Sequence, residues 1–594
     1  MSSTQFDFAL SIGGEAGQGI ATPGDIVARL FARRGLHLST YNAYQSIVRG
    51  GHIFLTIRVT DREVGNHGDD IDLLLALNQD TMDRHLNLLK AGAAVLYNSD
   101  AITPGQAANG VQLCGLPVNE LTGSQRAGLT QNTVAVGAMM HLLGFDFSLL
   151  QESLTQQFSR KGDEVVTQNV TVARAGYDYA VKNFKPFPFT LPEGGKPLAM
   201  WSGNEALAIG GAAAGLKFYA AYPMSPSTGV LHWYAANARN LGIMVRQVED
   251  EIGVANMVIG AAHTGVRSMC ATSGGGFALM TEAIGAAAMM EIPVVYIDVM
   301  RGGPSTGLPT KTEQADLWQA LGASQGDFER FIVTPTDALD AFNTMPEIFN
   351  LTDRYQCPAM VLTDLYISEG RFSVDPDTID LHPKIDRGAL ITTSSGNGAP
   401  YNRYKITDSG ISPRAVPGVE GHMHIVATDE HDEDSMLLSD EFTNPIKRRA
   451  MLEKRARKIA HVLDDIAAPA LEGPAGADVT LVGWGSTKPV IAEAAAALNA
   501  AGVKTNQLAI KWIVPFHADE IDQILRSAKK VIIVENNYSG QFARYLRSET
   551  GFKAAAHIRK YDGEPFMPHH IVEGVQAIVK DGIERYVPTQ EIIV

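Results

Sequence analysis

Short apolar runs alternate along the chain with segments whose apolar residues recur every three to four positions, the pattern of strands each followed by a helix that packs on them. FDFALSI (6–12) predicts a strand running into GGEAGQG (13–19), a glycine-rich turn, after which Ile26, Val27, Leu30 and Phe31 fall on one helical face. Residues 71–76 and 93–97 predict buried strands of the same α/β unit. FKPFPFTLPEGGK (184–196) holds three prolines and no apolar period, which predicts an interdomain linker and a boundary near residue 190.

Beyond it, small-residue helices (253–262, 283–290) alternate with apolar strands (293–299, 359–363), as in a doubly wound parallel sheet covered on both faces. Between 375 and 469 the texture changes to a connector with one helix. There, Ser, Gly and Asn cluster at 394–402, and seven acidic residues from Asp429 to Glu441 precede seven basic ones from Lys447 to Lys458. Such runs are expected as solvated faces. From Ala477 a third unit follows, with strands at 479–483, 505–508 and 531–535 and a helix at 488–501. The fold class expected is therefore α/β, with three α/β domains.

Composition narrows the function. A chain of 594 residues with 45% hydrophobic residues and 57 Gly is a multidomain α/β enzyme by these measures. A formal net charge of -16 argues against nucleic acid or an anionic membrane as a partner. Three scattered cysteines, Cys114, Cys270 and Cys357, form no C-x-x-C pair, so neither a disulfide framework, a metal site nor an iron-sulfur cluster is expected on this chain. No basic leader opens it, and its most apolar stretch, 281–300, is interrupted by Glu282, Glu291, Pro293 and Asp298, so a cytoplasmic protein is expected.

Candidate chemistry concentrates between 222 and 316. Glycines at 13–19 could cradle phosphate at a helix start, yet HLSTYN (37–42) lacks the acid that a dinucleotide's ribose needs, so a structural turn or a non-nucleotide contact fits better. SIVRGGH (46–52) is a second glycine-rich corner, where Arg49 and His52 could meet an anion or form a polar rim. YPMSPSTG (222–229) sets three hydroxyls in a turn stiffened by two prolines, a rigid cradle for a carboxylate or a ring edge. Glu249, Asp250 and Glu251 precede a Gly- and Ala-rich helix: either helix-end charge, or, for an acid entering a buried helix, a dry carboxyl able to hold or share a proton. ATSGGGF (271–277) and MRGGPSTGLPTKTEQ (300–314) leave strand ends, and a guanidinium beside glycines and hydroxyls suits bidentate carboxylate binding.

These strings resemble the 2-oxoacid:ferredoxin oxidoreductases, most closely the α subunit of the 2-oxoglutarate branch with the family's γ domain fused ahead of it. GGEAGQGI and SIVRGGH carry the γ domain (1–187); YPMSPST, EDEIGVAN, ATSGGG and RGGPSTGLPTKTEQADL carry a thiamine diphosphate (ThDP) pyrimidine-binding domain (197–380). ISPRAVPG and EHDE lie in the connector (381–470), and VGWGSTKP and VENNYSGQ in a transketolase C-terminal-like domain (471–594). The resemblance implies that Glu251 contacts a ring nitrogen of the cofactor's aminopyrimidine and favours its imino form, with Tyr222, Pro223 and Met224 beside the cofactor. It further implies that Arg301, Thr310 and Ser225 hold the substrate carboxylate, Ser225 standing where the family usually has Thr and Met224 where it usually has Ile.

Enzymes that bind the diphosphate themselves carry Gly-Asp-Gly, absent here. The resemblance thus implies a β subunit holding Mg2+, the diphosphate and an iron-sulfur cluster, an (αβ)2 assembly, and coenzyme A and ferredoxin as co-substrates. Pyruvate or branched-chain oxoacids as substrate, a nucleotide-dependent dehydrogenase or flavoprotein, and a non-catalytic assembly subunit remain alternatives at this point.

Overall fold

The structure, a computed structural model, describes residues 6–47, 49–123, 127–192, 194–394, 400–440 and 444–589. Val48, Glu193, residues 395–399 and Glu441, all within segments singled out above, lie outside them. The chain forms two compact units: residues 1–201 with 370–379 and 589–594, and residues 202–369 with 380–588.

The first unit is built on an eight-stranded sheet whose centre is the strand Asp7–Ala16, parallel to Leu73–Ala76 and antiparallel to Gly50–Thr60. The expected glycine turn begins later than its sequence suggests. Gly13 and Gly14 stay in the strand, paired with Phe54 and Ile53, because a Cβ on Gly13 would collide with Thr81; only Gly17 and Gly19 take positive φ. His52 is not a polar rim. It lies buried in the strand Gly50–Thr60, its Nε2 2.9 Å from His85 Nε2.

Nor is 184–196 a free linker: Phe187 and Phe189 pack edge-on against Phe8, and Arg34 Nε donates to Pro192 O at 2.9 Å. The prolines remove backbone donors, but the three rings find an apolar surface, so the segment lies on the unit as a strap.

The second unit carries two sheets. In the seven-stranded sheet, Phe331–Val333, Ala359–Asp364, Val295–Met300, Arg267–Thr272, Leu216–Ala221 and Met244–Gln247 run parallel in that order, and Trp512–Val514 adds antiparallel at the edge. Helices Glu251–His263 and Gly274–Met289 pack together as one layer, and Gly203–Ala213, Thr228–Leu241 and Ala338–Tyr355 form another. Their Gly and Ala content is what allows the close approach: a Cβ on Gly210 would lie 2.4 Å from Phe342 O. The six-stranded sheet, with Val479–Trp484 between Thr505–Ile510 and Val531–Glu535, shares a core with the first through Trp484, Leu508, Ile533 and Phe542.

The connector holds one α-helix among its described residues, Pro445–Arg457. Arg448 and Arg449 at the start of its basic run are solvated as expected, whereas the later residues depart from that reading. Lys454 is 0% exposed and Lys458 is buried, both on the carboxylate of buried Glu291, at 2.6 and 3.2 Å, while Arg455 pairs with Glu430 at 2.8 Å. Arg403, also buried, donates to Glu291 O at 2.8 Å. Burial of such charges is tolerable because each finds an opposite charge or a carbonyl. The three cysteines are free and buried, and burial pushes the thiols of Cys114 and Cys357 up to about 12 and about 11.

Candidate active site

Four segments leave the C-terminal ends of neighbouring parallel strands: the turn at 222–227, the acidic corner at 248–251, Ser273, and the loop from Arg301 to Asp316. Ligands of open α/β sheets bind at this edge.

The turn at 222–227 is closed on itself. Ser227 donates to Met224 O from its backbone N at 2.9 Å and from its Oγ at 2.7 Å, and Asn204 Nδ2 donates to Pro226 O at 2.8 Å. With two prolines in six residues, the carbonyls and side chains of Met224 and Ser225 are held in place before any ligand arrives.

Glu251 is the first residue of the helix Glu251–His263. Asp250, not Glu251, caps that helix, accepting from Gly253 N at 2.6 Å. Released from that task, Glu251 is 4% exposed and its Oε1 has no partner among the described residues. Gly276 faces it so closely that a Cβ there would lie 2.6 Å from Glu251 Oε1 and 2.2 Å from Thr272 Oγ1, and Thr272 Oγ1 in turn lies 3.8 Å from Met224 Sδ. Ser273 Oγ is also buried without a partner. A buried carboxyl oxygen left without a hydrogen bond is costly, and a ring nitrogen with its exocyclic amine would supply what is missing. The residues present therefore fit an aminopyrimidine.

Arg301 begins the long loop and is 8% exposed. Its Nη1 donates to Ser225 O at 2.5 Å and its Nε has no partner among the described residues. The loop folds back on its own start: Leu308 N donates to Gly302 O at 2.7 Å and Gly302 N to Lys311 O at 3.2 Å, which places buried Thr310 beside Arg301's end of the loop. Gly307 permits the reversal, with φ +54° and no room for a Cβ, which would lie 1.9 Å from Gly302 O.

The far end of the loop is clamped by the six-stranded sheet's domain. Gln314 donates from its Nε2 to Trp484 O at 2.8 Å and accepts from Asn536 N on Oε1 at 3.1 Å, while Asn537 Nδ2 donates to Gln314 O at 3.0 Å.

The structure thus brings Glu251, Met224, Ser225 and Arg301 together through Thr272 and the turn. Thr310 sits in the same loop as Arg301; Tyr222 is half-buried against the core and Pro223 is exposed. Sequence reasoning missed Asp298 and Asp316, which flank Arg301, and the clamp on Gln314. A lone acid in the apolar run PVVYIDVM was the available signal for Asp298. Burial raises the carboxyl of Asp298 well above its usual range, Asp316 adds to that and Arg301 opposes it; burial pushes Asp316 up to about 6 against Arg301.

Comparison with known proteins agrees with this geometry. Residues 210–448 match the family described as "Pyruvate flavodoxin/ferredoxin oxidoreductase, thiamine diP-bdg", 9–179 match "Pyruvate ferredoxin/flavodoxin oxidoreductase", and 470–557 match "Transketolase, C-terminal domain". The chain is 30% identical to 2-oxoacid:ferredoxin oxidoreductase 2, subunit alpha, of Aeropyrum pernix, over 98% of this chain and 99% of that one. It is also 30% identical to a 2-oxoglutarate oxidoreductase subunit of Mycobacterium tuberculosis, over 90% and 86%. Among solved structures it resembles 2-oxoglutarate:ferredoxin oxidoreductase from Magnetococcus marinus, with 2-oxoglutarate, coenzyme A and succinyl-CoA bound, at 33% identity and TM-score 0.90, covering 97% of this chain and all of that one. Sequence and structure, agreeing over nearly the whole chain, place it in the 2-oxoacid:ferredoxin oxidoreductase family.

Proposed function

We propose that this chain is the α subunit of a ThDP-dependent 2-oxoglutarate:ferredoxin oxidoreductase. It would interconvert 2-oxoglutarate, coenzyme A and oxidised ferredoxin with succinyl-CoA, carbon dioxide and reduced ferredoxin. The observation that carries this reading is the buried, unpartnered Oε1 of Glu251 linked through Thr272 and the 222–227 turn to Arg301. The relatives named for 2-oxoglutarate support the substrate.

ThDP, when bound, supplies the nucleophilic carbon and the electron sink for decarboxylation. Glu251 holds or shares a proton with a ring nitrogen at Oε1, while Gly276 and Thr272 fix where that oxygen stands. Tyr222, Pro223 and Met224 flank the ring. Arg301 orients the substrate carboxylate with Ser225 and Thr310, and its bond to Ser225 O fixes the guanidinium plane.

In this reading the chain spans a γ-type segment (1–187), a pyrimidine-binding segment (197–380), a connector (381–470) and a transketolase C-terminal-like segment (471–594). A β subunit holds Mg2+, the diphosphate and the iron-sulfur cluster, the assembly is (αβ)2, ferredoxin is the acceptor and the enzyme is cytoplasmic. Among the described residues no helix is long and apolar enough to cross a membrane.

The test is reduction of a viologen dye by 2-oxoglutarate and coenzyme A, with ThDP and Mg2+, by this chain alone and after co-purification with its β partner. Turnover in the complex only is expected; turnover by the chain alone would overturn the split site.

A further inference from the structure

Asp298, Asp316 and Arg301 interact electrostatically near the C-terminal end of the strand Val295–Met300, yet three of their oxygens and one nitrogen find no hydrogen bond among the described residues. Asp298 is fully buried in that strand, in register with Thr272 on one side and Leu362 on the other, and neither of its carboxyl oxygens has a partner among the described residues. Asp316 closes the loop that Arg301 opens. Its carboxyl abuts the start of the helix Gly274–Met289, where a Cβ on Gly274 would lie 2.6 Å from Oδ2, and that oxygen too is unpartnered. Arg301 contributes a fourth orphan, its Nε. The charged groups facing Asp298 are Asp316 and Arg301, and Arg301 is the cation facing Asp316; the neighbouring strand residues Thr272 and Leu362 carry no charge.

We propose that Asp298 and Asp316 are positioning residues that keep a proton between them beneath Arg301, and so set how strongly its guanidinium attracts the carboxylate of the 2-oxoacid. The proposal rests on Arg301 as the carboxylate anchor. Two buried carboxylates beside one guanidinium cannot both ionise cheaply, because burial and mutual repulsion each favour a retained proton. With one proton the trio is neutral and Arg301 keeps its attraction; with none it is net negative and repels the incoming anion. Burial raises both carboxyls, and Asp316 raises Asp298 further, so the last proton leaves above the usual carboxylate range. Glu313, pushed up to about 7 by burial with Asp316 and Asp562 adding to it, senses the same charge from the loop's outer side.

As pH rises and the pair loses its proton, KM for the oxoacid should climb, while kcat, governed by Glu251 and the cofactor, follows a separate profile. The experiment is KM and kcat for 2-oxoglutarate in the reassembled complex from about pH 6 to about pH 9, for the natural chain, Asp298→Asn and Asp316→Asn. The expected result is an alkaline rise in KM of up to about tenfold per pH unit in the natural chain, flattened in both Asn variants with their kcat profiles unmoved. Superimposable KM profiles in all three would overturn the proposal.

A second readout needs no variant: the infrared spectrum of the natural complex at neutral pH should contain the carbonyl band of a protonated carboxyl that titrates with KM, and its absence would also overturn the proposal. Arg301→Ala separates the two readings. An unchanged KM there would remove Arg301 as anchor, whereas a raised KM together with superimposable pH profiles would keep the anchor and reject the shared proton.

Discussion

The Nη1 of Arg301 donates to the backbone carbonyl of Ser225 at 2.5 Å, joining two loops that are 76 residues apart in the chain. The bond makes the YPMSPS turn and the RGGPSTGLPT loop one rigid part.

Arg301→Ala removes the donor to Ser225 O and, in the proposed function, the anchor of the substrate carboxylate. The specificity constant for 2-oxoglutarate should fall by about 100-fold or more. Steady-state kinetics of the reassembled complex checks this, and unchanged constants would take Arg301 out of the pocket.

Glu251→Gln keeps the shape of the side chain and removes its ability to hold a transferable proton. Turnover should drop by about 100-fold to 10,000-fold, while co-purification with the β partner persists because Asp250 still caps the helix. Full turnover would leave Glu251 as helix-end charge.

Gly276→Ala places a methyl 2.2 Å from Thr272 Oγ1 and 2.6 Å from Glu251 Oε1, neither of which can move without leaving the site. The expected outcome is weakened ThDP binding and lost turnover in a folded complex, read by titration of the apo-complex with ThDP. The same change at Gly260, where no atom lies within 4 Å of the added Cβ, should be silent.

Lys454→Met strips one cation from fully buried Glu291 and should destabilise the fold by about 3–5 kcal/mol, seen as a lowered unfolding temperature. Burial alone would raise the Glu291 carboxyl, but Lys458, Lys454 and Arg403 outweigh it and hold it well below its usual 4.5. A carboxyl lowered on folding stabilises above its unfolded value and loses that contribution as pH falls through the folded one. Glu291→Gln should therefore weaken the dependence of stability on acid pH; an unaltered acid profile would show that Glu291 takes no part in it.

What the sequence by itself determined is local. The strands, the small-residue helices and the loops between them follow from apolar period and glycine placement over short stretches, and the roles expected of Glu251, Ser225, Arg301 and Thr310 follow from the family resemblance of the strings that hold them. Gly13 and Gly14 look like a turn until Phe54 and Ile53 pair with them, and the prolines of 184–196 give no sign that Phe187 packs on Phe8.

What only the tertiary structure decided is pairing over distance. Gln314 meets Asn536 222 residues on, Lys454 meets Glu291 163 residues back, and the carboxyls of Asp298 and Asp316 come to act on Arg301 only once strand and loop are packed. The physical reason is that propensity and period act along the chain, whereas the charge of a buried group depends on which groups surround it, and that is settled when the core closes.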